Sequence, residues 1–214
     1  MFLRKRITVS QFLERRVTEL MTVDGIFTLE GFYDEYSRIL SDTGVGPDTE
    51  EAEEGTHPSV DRDLFINRFI GTLLWLIKYR ILSNLFNSPR KQAYLDLNFD
   101  IAIPEIVDRR FICYNTEIIK QTYDNMDIGC KKAYTGEMQR EDKPRFLVSP
   151  LWTKDPSPHP FRVAARLFME ALAHGTVRGV PDHPDSETLI DVLEERFTSM
   201  TENAAQAARR VILT

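Results

Sequence analysis

Along the first forty residues, apolar side chains recur three and four positions apart, which is the spacing of an amphipathic helix. Thr8 and Gln11 have the spacing of a capping box, and Ile7 and Phe12 can pack across it as a hydrophobic staple, so a helix is predicted over about residues 9–21. A second helix is predicted after a turn at TVDGIF, from the apolar positions Leu29, Phe32, Tyr33, Tyr36, Ile39 and Leu40. The two helices are expected to form an N-terminal hairpin, residues 1–41.

An acidic stretch follows, residues 42–59, with the sequence DTGVGPDTEEAEEGTHPS. Carboxylates, glycines and prolines dominate it, so it cannot bury enough apolar surface to offset the entropy lost on ordering. We predict a flexible loop that separates the hairpin from a main body, residues 60–214.

The main body begins with a segment that is apolar around most of a helical circumference, residues 61–87. A helix of this kind must be surrounded by other elements, so it is predicted to be the central helix of the fold. Its longest apolar run, FIGTLLWLI, is much shorter than the roughly 20 residues that cross a bilayer. We therefore expect a core segment and no membrane span.

Strict alternation of apolar and polar residues marks YLDLNFDIAIP, which begins at Tyr94. A period of two indicates a β-strand, and RFLVSPLW at residues 145–152 is the one candidate partner, so a two-stranded ribbon from 94–103 and 145–152 is conceivable. Helical spacing resumes at Pro104 and continues to about Met126.

Two more helices complete the pattern. One is predicted from Pro160 to His174, and a long C-terminal helix from Ser186 to about Leu213. The C-terminal helix carries a stripe of apolar residues that includes Leu193, Phe197 and Met200. The spacing of this stripe suits packing along another helix. The predicted fold is mainly α: a multi-helix, bundle-like domain around a central apolar helix, with or without a small two-stranded ribbon.

Charge narrows the functional classes. The chain has 214 residues and a formal net charge of −6, which argues against a protein that covers nucleic acid with its whole surface. A local basic cluster at the N-terminus could still contact nucleic acid or an acidic protein; its members are Arg4, Lys5, Arg6, Arg15 and Arg16. Cys113 and Cys130 lack metal-ligand or disulfide-framework spacing, and no export signal is evident, so a cytoplasmic protein is expected.

One pair has the spacing of a metal or acid/base site: Glu170 and His174, four positions apart on a predicted helix. A helical wheel turns this pair away from the apolar side, so a solvent-facing helix pair is the simpler interpretation. His183 could fold back toward it, whereas His159 would lie roughly 22 Å away along the helix. Glu170, His174 and His183 are thus weak metal-ligand candidates, and no cofactor or catalytic residue is predicted.

Phosphate-loop, nucleophile-elbow and zinc-protease motifs are missing from the sequence. The leading hypothesis is therefore a non-enzymatic helical interaction or adaptor subunit of a larger assembly, binding a protein partner or a second copy. Its contact residues would be the basic N-terminus together with Leu193, Phe197 and Met200. Two alternatives are a helical enzyme or metal- or ligand-binding protein with a pocket of dispersed His and Glu residues, and a nucleic-acid accessory protein.

Overall fold

The computed structural model describes residues 5–20, 23–43, 61–85, 88–138, 159–176 and 184–214. Within these residues the protein is mainly helical, as predicted. In chain order the elements are β1 (Lys5–Ile7), α1 (Val9–Leu20), α2 (Val23–Thr43), α3 (Arg62–Ser83), α4 (Pro89–Arg110), α5 (Thr116–Met138), α6 (Pro160–Thr176), α7 (Pro184–Arg209) and β2 (Val211–Leu213).

The central position of α3 is confirmed. Asp61 caps its first turn, with Oδ1 accepting a hydrogen bond from the Leu64 N–H at 2.6 Å. Nearly every residue from Phe65 to Leu82 is buried, and α3 contacts five other helices: α2, α4, α5, α6 and α7. The helix is apolar on all sides because it has neighbours on all sides.

α3 and α5 approach each other closely at Gly71. A Cβ atom added at Gly71 would lie 2.5 Å from the Ile119 carbonyl oxygen and 2.8 Å from Thr122 Cβ. Only glycine fits at such a distance from a neighbouring backbone. Gly71 therefore sets how near α5 can pack.

The strand predicted at 94–103 is wrong, because these residues lie within α4. Leu95, Phe99 and Ile103 are buried, whereas Leu97 is 66% exposed and Ile101 is 64% exposed. Residues four apart share one face in a helix, so every second apolar residue faces inward and the others face outward. The other half of the proposed ribbon, residues 145–152, lies outside the described residues.

The helix expected from Pro104 to Met126 is also corrected. Pro104 lies inside α4, and the chain leaves helical geometry at Phe111 before α5 begins at Thr116. Asn115 starts the new helix, with its Oδ1 accepting a hydrogen bond from the Ile118 N–H at 3.2 Å. The continuous apolar spacing conceals this break because both helices bury residues on either side of it.

A two-stranded sheet is present, but at a different place from the predicted ribbon. β1 and β2 pair in parallel, with Lys5 opposite Val211 and Ile7 opposite Leu213. The last residue continues the pairing, since Thr214 N donates to the Ile7 carbonyl at 3.1 Å. The predicted C-terminal helix therefore ends earlier than expected, at Arg209, and the final residues form a strand.

The capping box at the start of α1 is confirmed: Gln11 N donates to Thr8 Oγ1 at 3.1 Å, and Thr8 N donates to Gln11 Oε1 at 3.2 Å. The turn predicted at TVDGIF is corrected, because α2 begins at Val23 and residues 23–27 are helical. α1 packs mainly on α4, and Arg110 binds Glu14 at 2.7 Å. Most of the acidic loop lies outside the described residues, so the division of the chain there stays a prediction.

Candidate functional site

A polar cluster lies between α3, α4 and α5. Its centre is Lys78, whose side chain is completely buried in the otherwise apolar α3. The Lys78 Nζ lies 2.6 Å from Asp96 Oδ1, 2.6 Å from Asp100 Oδ1 and 3.1 Å from Asp127 Oδ1. One ammonium group thus holds carboxylates from two different helices. We refer to these four residues as the Lys78 cluster.

Two aromatic side chains donate further hydrogen bonds to this cluster. The Tyr123 hydroxyl donates to Asp100 Oδ1 at 2.6 Å, and the Trp75 indole N–H donates to Asp127 Oδ1 at 3.2 Å. Lys78 Nζ also lies 5.6 Å from the centre of the Tyr123 ring, within reach of a cation–π interaction. The aromatic residues therefore support both the carboxylates and the ammonium group.

Electrostatics keep Lys78 protonated. Burial lowers the pKa of the ammonium group, but the negative charges of Asp127, Asp96 and Asp100 raise it by more, so the pKa lies above its usual value. Burial and the neighbouring Asp100 carboxylate also raise the pKa of Tyr123. A lysine held as a cation can be neither a general base nor a nucleophile at neutral pH, and its ion pairs join α3 to α4 and α5.

The sequence carries a signal for this cluster. Lys78 is the one charged residue between Phe69 and Tyr79, and it follows the apolar run that was assigned to the core. A lysine in the middle of a buried helix needs a carboxylate partner. Asp96 and Asp100 have the four-residue spacing of such partners, but the strand prediction placed them on the polar side of a ribbon.

A second feature is apolar and exposed. Tyr94 is 54% exposed, Leu97 66% and Ile101 64%, and all three lie on the side of α4 opposite its buried residues. We call these three residues the α4 stripe. The exposed residues Arg90 and Asp108 lie on the same side of α4, one beyond each end of the stripe. Single exposed apolar residues are common, whereas a contiguous row of them is a candidate binding surface.

A cavity of about 220 Å³ lies between the end of α3, the start of α4 and the C-terminal segment. Its wall is largely aliphatic, and its polar lining comes from Asn84, Lys91 and Arg209. No aspartate or glutamate is among the described residues that line it. The cavity therefore combines an apolar interior with positive charge.

The described basic residues near the N-terminus differ in exposure. Lys5, Arg6 and Arg15 are exposed, whereas Arg16 is mostly buried and binds Glu19 at 2.6 Å. The guanidinium of Arg16 also lies 5.7 Å from the centre of the Phe12 ring. Arg4 lies outside the described residues. A role for these residues in binding a partner stays a prediction.

The stripe of the last helix packs inside the chain itself. Leu193 and Phe197 are completely buried, and Met200 is partly buried against the core. The Phe197 ring stacks on Phe69 of α3 at 5.1 Å and meets Phe168 of α6 edge-on at 5.9 Å. A partner could reach Leu193 and Phe197 only by displacing α3 or α6. The stripe is covered by the protein's own helices, so it provides no free docking face.

Among the predicted metal-ligand candidates, Glu170 alone has a side chain within the described part of the chain. Glu170 is exposed on α6. His174 belongs to the same helix, but its side chain is not among those described, and His183 lies outside the described residues. His159 Nδ1 instead lies 3.0 Å from Glu194 Oε1, and its ring stacks on Phe161. Within the described ranges, no three His, Cys, Asp or Glu side chains are placed to hold a metal ion.

His159 belongs to a polar edge that joins α6 to α7. Arg162 hydrogen bonds Asp191 at 2.6 Å and also binds Glu187 and Glu194. The hydrogen bond that Arg162 donates to Asp191 is the largest influence on the pKa of its guanidinium, and together with Glu187 it raises that pKa. These contacts join α6 to α7 at the protein surface, and they explain the position of the His159 side chain.

No protein-family model, curated protein or solved structure matches this chain. In the part of the chain that the structure describes, none of the helices combines the length and apolar character needed to cross a membrane.

Proposed function

We propose that this chain is a non-enzymatic interaction module, an adaptor or subunit of a larger protein assembly, and that it docks through the α4 stripe. The observation that carries the proposal is the exposure of Tyr94, Leu97 and Ile101 along one side of a helix whose opposite side is buried. Exposing three large apolar side chains in one row is unfavourable in water and becomes favourable when a partner covers them.

The ends of the stripe support a protein partner. Arg90 and Asp108 give it a polar rim of both signs, which resembles the apolar centre and charged edge of protein interfaces. The free thiols of Cys113 and Cys130 agree with a reducing compartment, and we propose a cytoplasmic location. The Lys78 cluster contributes by holding α4 rigidly against α3 and α5, so that the stripe is presented on a fixed surface.

The proposal is tested with a photo-reactive amino acid placed at single positions in the full chain, expressed in its native source. Position Leu97 lies in the stripe, and the matched control Ile128 is 52% exposed on α5. We expect one discrete protein adduct from position 97, identified by mass spectrometry, and none from position 128. Equal labelling from both positions, or none from position 97, would contradict docking through α4.

A second function, ligand binding, is favoured by the cavity beside α7. We propose that it holds a small carboxylic acid, with its chain against Leu95 and Leu213 and its carboxylate toward Lys91 and Arg209. A volume of about 220 Å³ corresponds to about seven water-sized groups, the size of a short alkyl acid. No histidine or glutamate is among the described lining residues, so this site differs from the pocket expected from the sequence.

Titration calorimetry with hexanoate and octanoate tests this second function. We expect saturable binding that weakens about tenfold in Arg209→Glu, and weaker binding of the uncharged analogue octanol, because the charge pair is lost in each case. Arg210→Glu is the matched control, because this exposed neighbour is not among the lining residues. Absence of saturable binding at millimolar acid would exclude the proposal.

A further inference from the structure

Resting on the proposed function, we infer that the partner of the α4 stripe is a second copy of this chain, with the two α4 helices packed antiparallel about a twofold axis level with Phe99. The inference comes from the spacing and the charges along the outer side of α4. It names both the partner and its orientation.

The outer side of α4 has the spacing of a helix-pairing seam. Its successive positions are four, three, four, three and four residues apart, and they are Arg90, Tyr94, Leu97, Ile101, Pro104 and Asp108. Alternating steps of four and three keep a row of side chains facing a second helix along its length. The exposed apolar residues of α4 thus lie along one seam.

The seam is complementary to itself when one copy is reversed. Leu97 and Ile101 lie two positions either side of residue 99, so each would meet the other across a twofold axis there. Tyr94 would face the partner's Pro104 in the same way, five positions from the axis. Every large exposed residue of the stripe then has an apolar residue opposite it.

Charge selects the antiparallel orientation. Arg90 and Asp108 lie nine positions either side of residue 99, so each arginine would face the partner's aspartate at both ends of the interface. A parallel pair would instead place arginine against arginine and aspartate against aspartate. Asp108 Oδ1 lies 2.7 Å from Lys120 Nζ, and the Asp108 side chain is 55% exposed, so a second cation can still approach the carboxylate.

Other charged groups lie near this interface. Glu105 is exposed one turn before Asp108, and Arg109 donates from Nε to the Glu105 carbonyl at 3.3 Å. Arg110 is directed elsewhere, because it binds Glu14 of α1. On the exposed side of the seam the start of α4 carries Arg90 and its end carries Glu105 and Asp108, which agrees with reversed pairing.

The area of the α4 stripe determines how stable the dimer is expected to be. The stripe exposes on the order of a few hundred Å² of apolar area per copy, less than the roughly 800 Å² per partner of a standard stable interface. The dimer should therefore be a weak and reversible one. It must be measured over a wide range of protein concentration.

Sedimentation equilibrium of the purified full chain, from micromolar to several hundred micromolar, tests the inference. We expect a monomer–dimer equilibrium that is at least about tenfold weaker in the double variant Leu97→Glu/Ile101→Glu. Ile128→Glu, a change of the same kind on α5, should leave it unchanged. Circular dichroism spectra and melting curves will check that the exposed substitutions leave the fold intact.

The decisive arm uses charge reversal. Arg90→Asp should weaken the dimer about tenfold, since aspartate would face aspartate at both ends, and Asp108→Lys should do the same with two cations. A one-to-one mixture of the two variants restores an opposite-charge pair at both ends, so it should dimerise about as well as the unmodified chain. The antiparallel arrangement alone predicts both the loss in each single variant and the recovery on mixing. A parallel pair already opposes like charges in the unmodified chain, so neither single change would weaken it.

Two results would overturn the inference. A chain that stays monomeric at every concentration excludes self-association, and a dimer whose charge-reversed variants are not rescued by mixing excludes this orientation. Neither result removes the proposed function. That proposal fails separately, if the photo-reactive residue at position 97 gives no protein adduct above the control.

Discussion

Replacing Lys78 with methionine tests how the Lys78 cluster holds the helices together. Methionine keeps an unbranched side chain of similar length, so the packing within α3 changes little while the charge is removed. Three carboxylates then remain around the vacated position, within 3.1 Å of where Nζ lay. Their mutual repulsion and lost hydrogen bonds should favour the unfolded state.

The expected loss in the free energy of unfolding follows from how deeply the side chains of the cluster are buried. Removing one partner of a fully buried ion pair costs about 3–5 kcal/mol. The Lys78 side chain is 0% exposed, but Asp96 keeps 21% exposure, Asp100 40% and Asp127 15%, so water can partly rehydrate them. We therefore expect the lower end of that range, a loss of about 3 kcal/mol in the free energy of unfolding.

Urea unfolding at pH 7, followed by circular dichroism, gives this value, and a double-mutant cycle separates the ion pair from packing. Asp127→Asn keeps a carbonyl oxygen for the Trp75 N–H, which donates to Asp127 at 3.2 Å. The two changes together should cost less than their sum by at least about 1 kcal/mol. A loss below about 0.5 kcal/mol in Lys78→Met, or strict additivity with Asp127→Asn, would refute the cluster as a stabilising contact.

Three further outcomes follow from the structure. Folding raises the pKa of Tyr123 and Lys78 above their ordinary values of 10.0 and 10.5. Both groups therefore stabilise the folded protein fully below those values, and this stabilisation is lost as the pH rises beyond them. The urea midpoint, measured from pH 8 to pH 11.5, should therefore decrease once the pH exceeds about 10. The decrease should be less steep in Lys78→Met. Gly71→Ala should destabilise by about 3 kcal/mol or more, measured by urea unfolding, because its Cβ would lie 2.5 Å from the Ile119 carbonyl oxygen; an unchanged midpoint would contradict the close approach. Thr8→Ala should cost about 1 kcal/mol in a thermal melt, whereas Thr8→Ser keeps the capping hydroxyl and should cost less.

Local chemistry was enough to predict several elements. The capping box of α1 involves residues three apart, so its hydrogen bonds could be anticipated from Thr8 and Gln11. Pro89 at the first position of α4 is a local signal of the same kind, although Ser88 before it makes no side-chain capping hydrogen bond. Local contacts of this kind depend on neighbouring residues and little on the rest of the chain.

The misread stretch at 94–103 shows where local reasoning fails. Over ten residues, apolar side chains at every second position satisfy a strand, and they also satisfy a helix that carries apolar residues on two opposite sides. Two facts decide between strand and helix, and both depend on α3. Leu95 and Phe99 are buried. Lys78 forms ion pairs with Asp96 and Asp100. The same error concealed both the Lys78 cluster and the α4 stripe.

The sequence by itself determined that this protein is mainly helical and that α3 is its centre, because periodicity and all-round apolarity are properties of a single segment. Only the tertiary structure decided which apolar residues stay exposed, which carboxylates meet Lys78, and that residues 5–7 pair with residues 211–213. Those outcomes depend on contacts between segments far apart in the chain, and the free energy of such contacts exists only after the helices have packed.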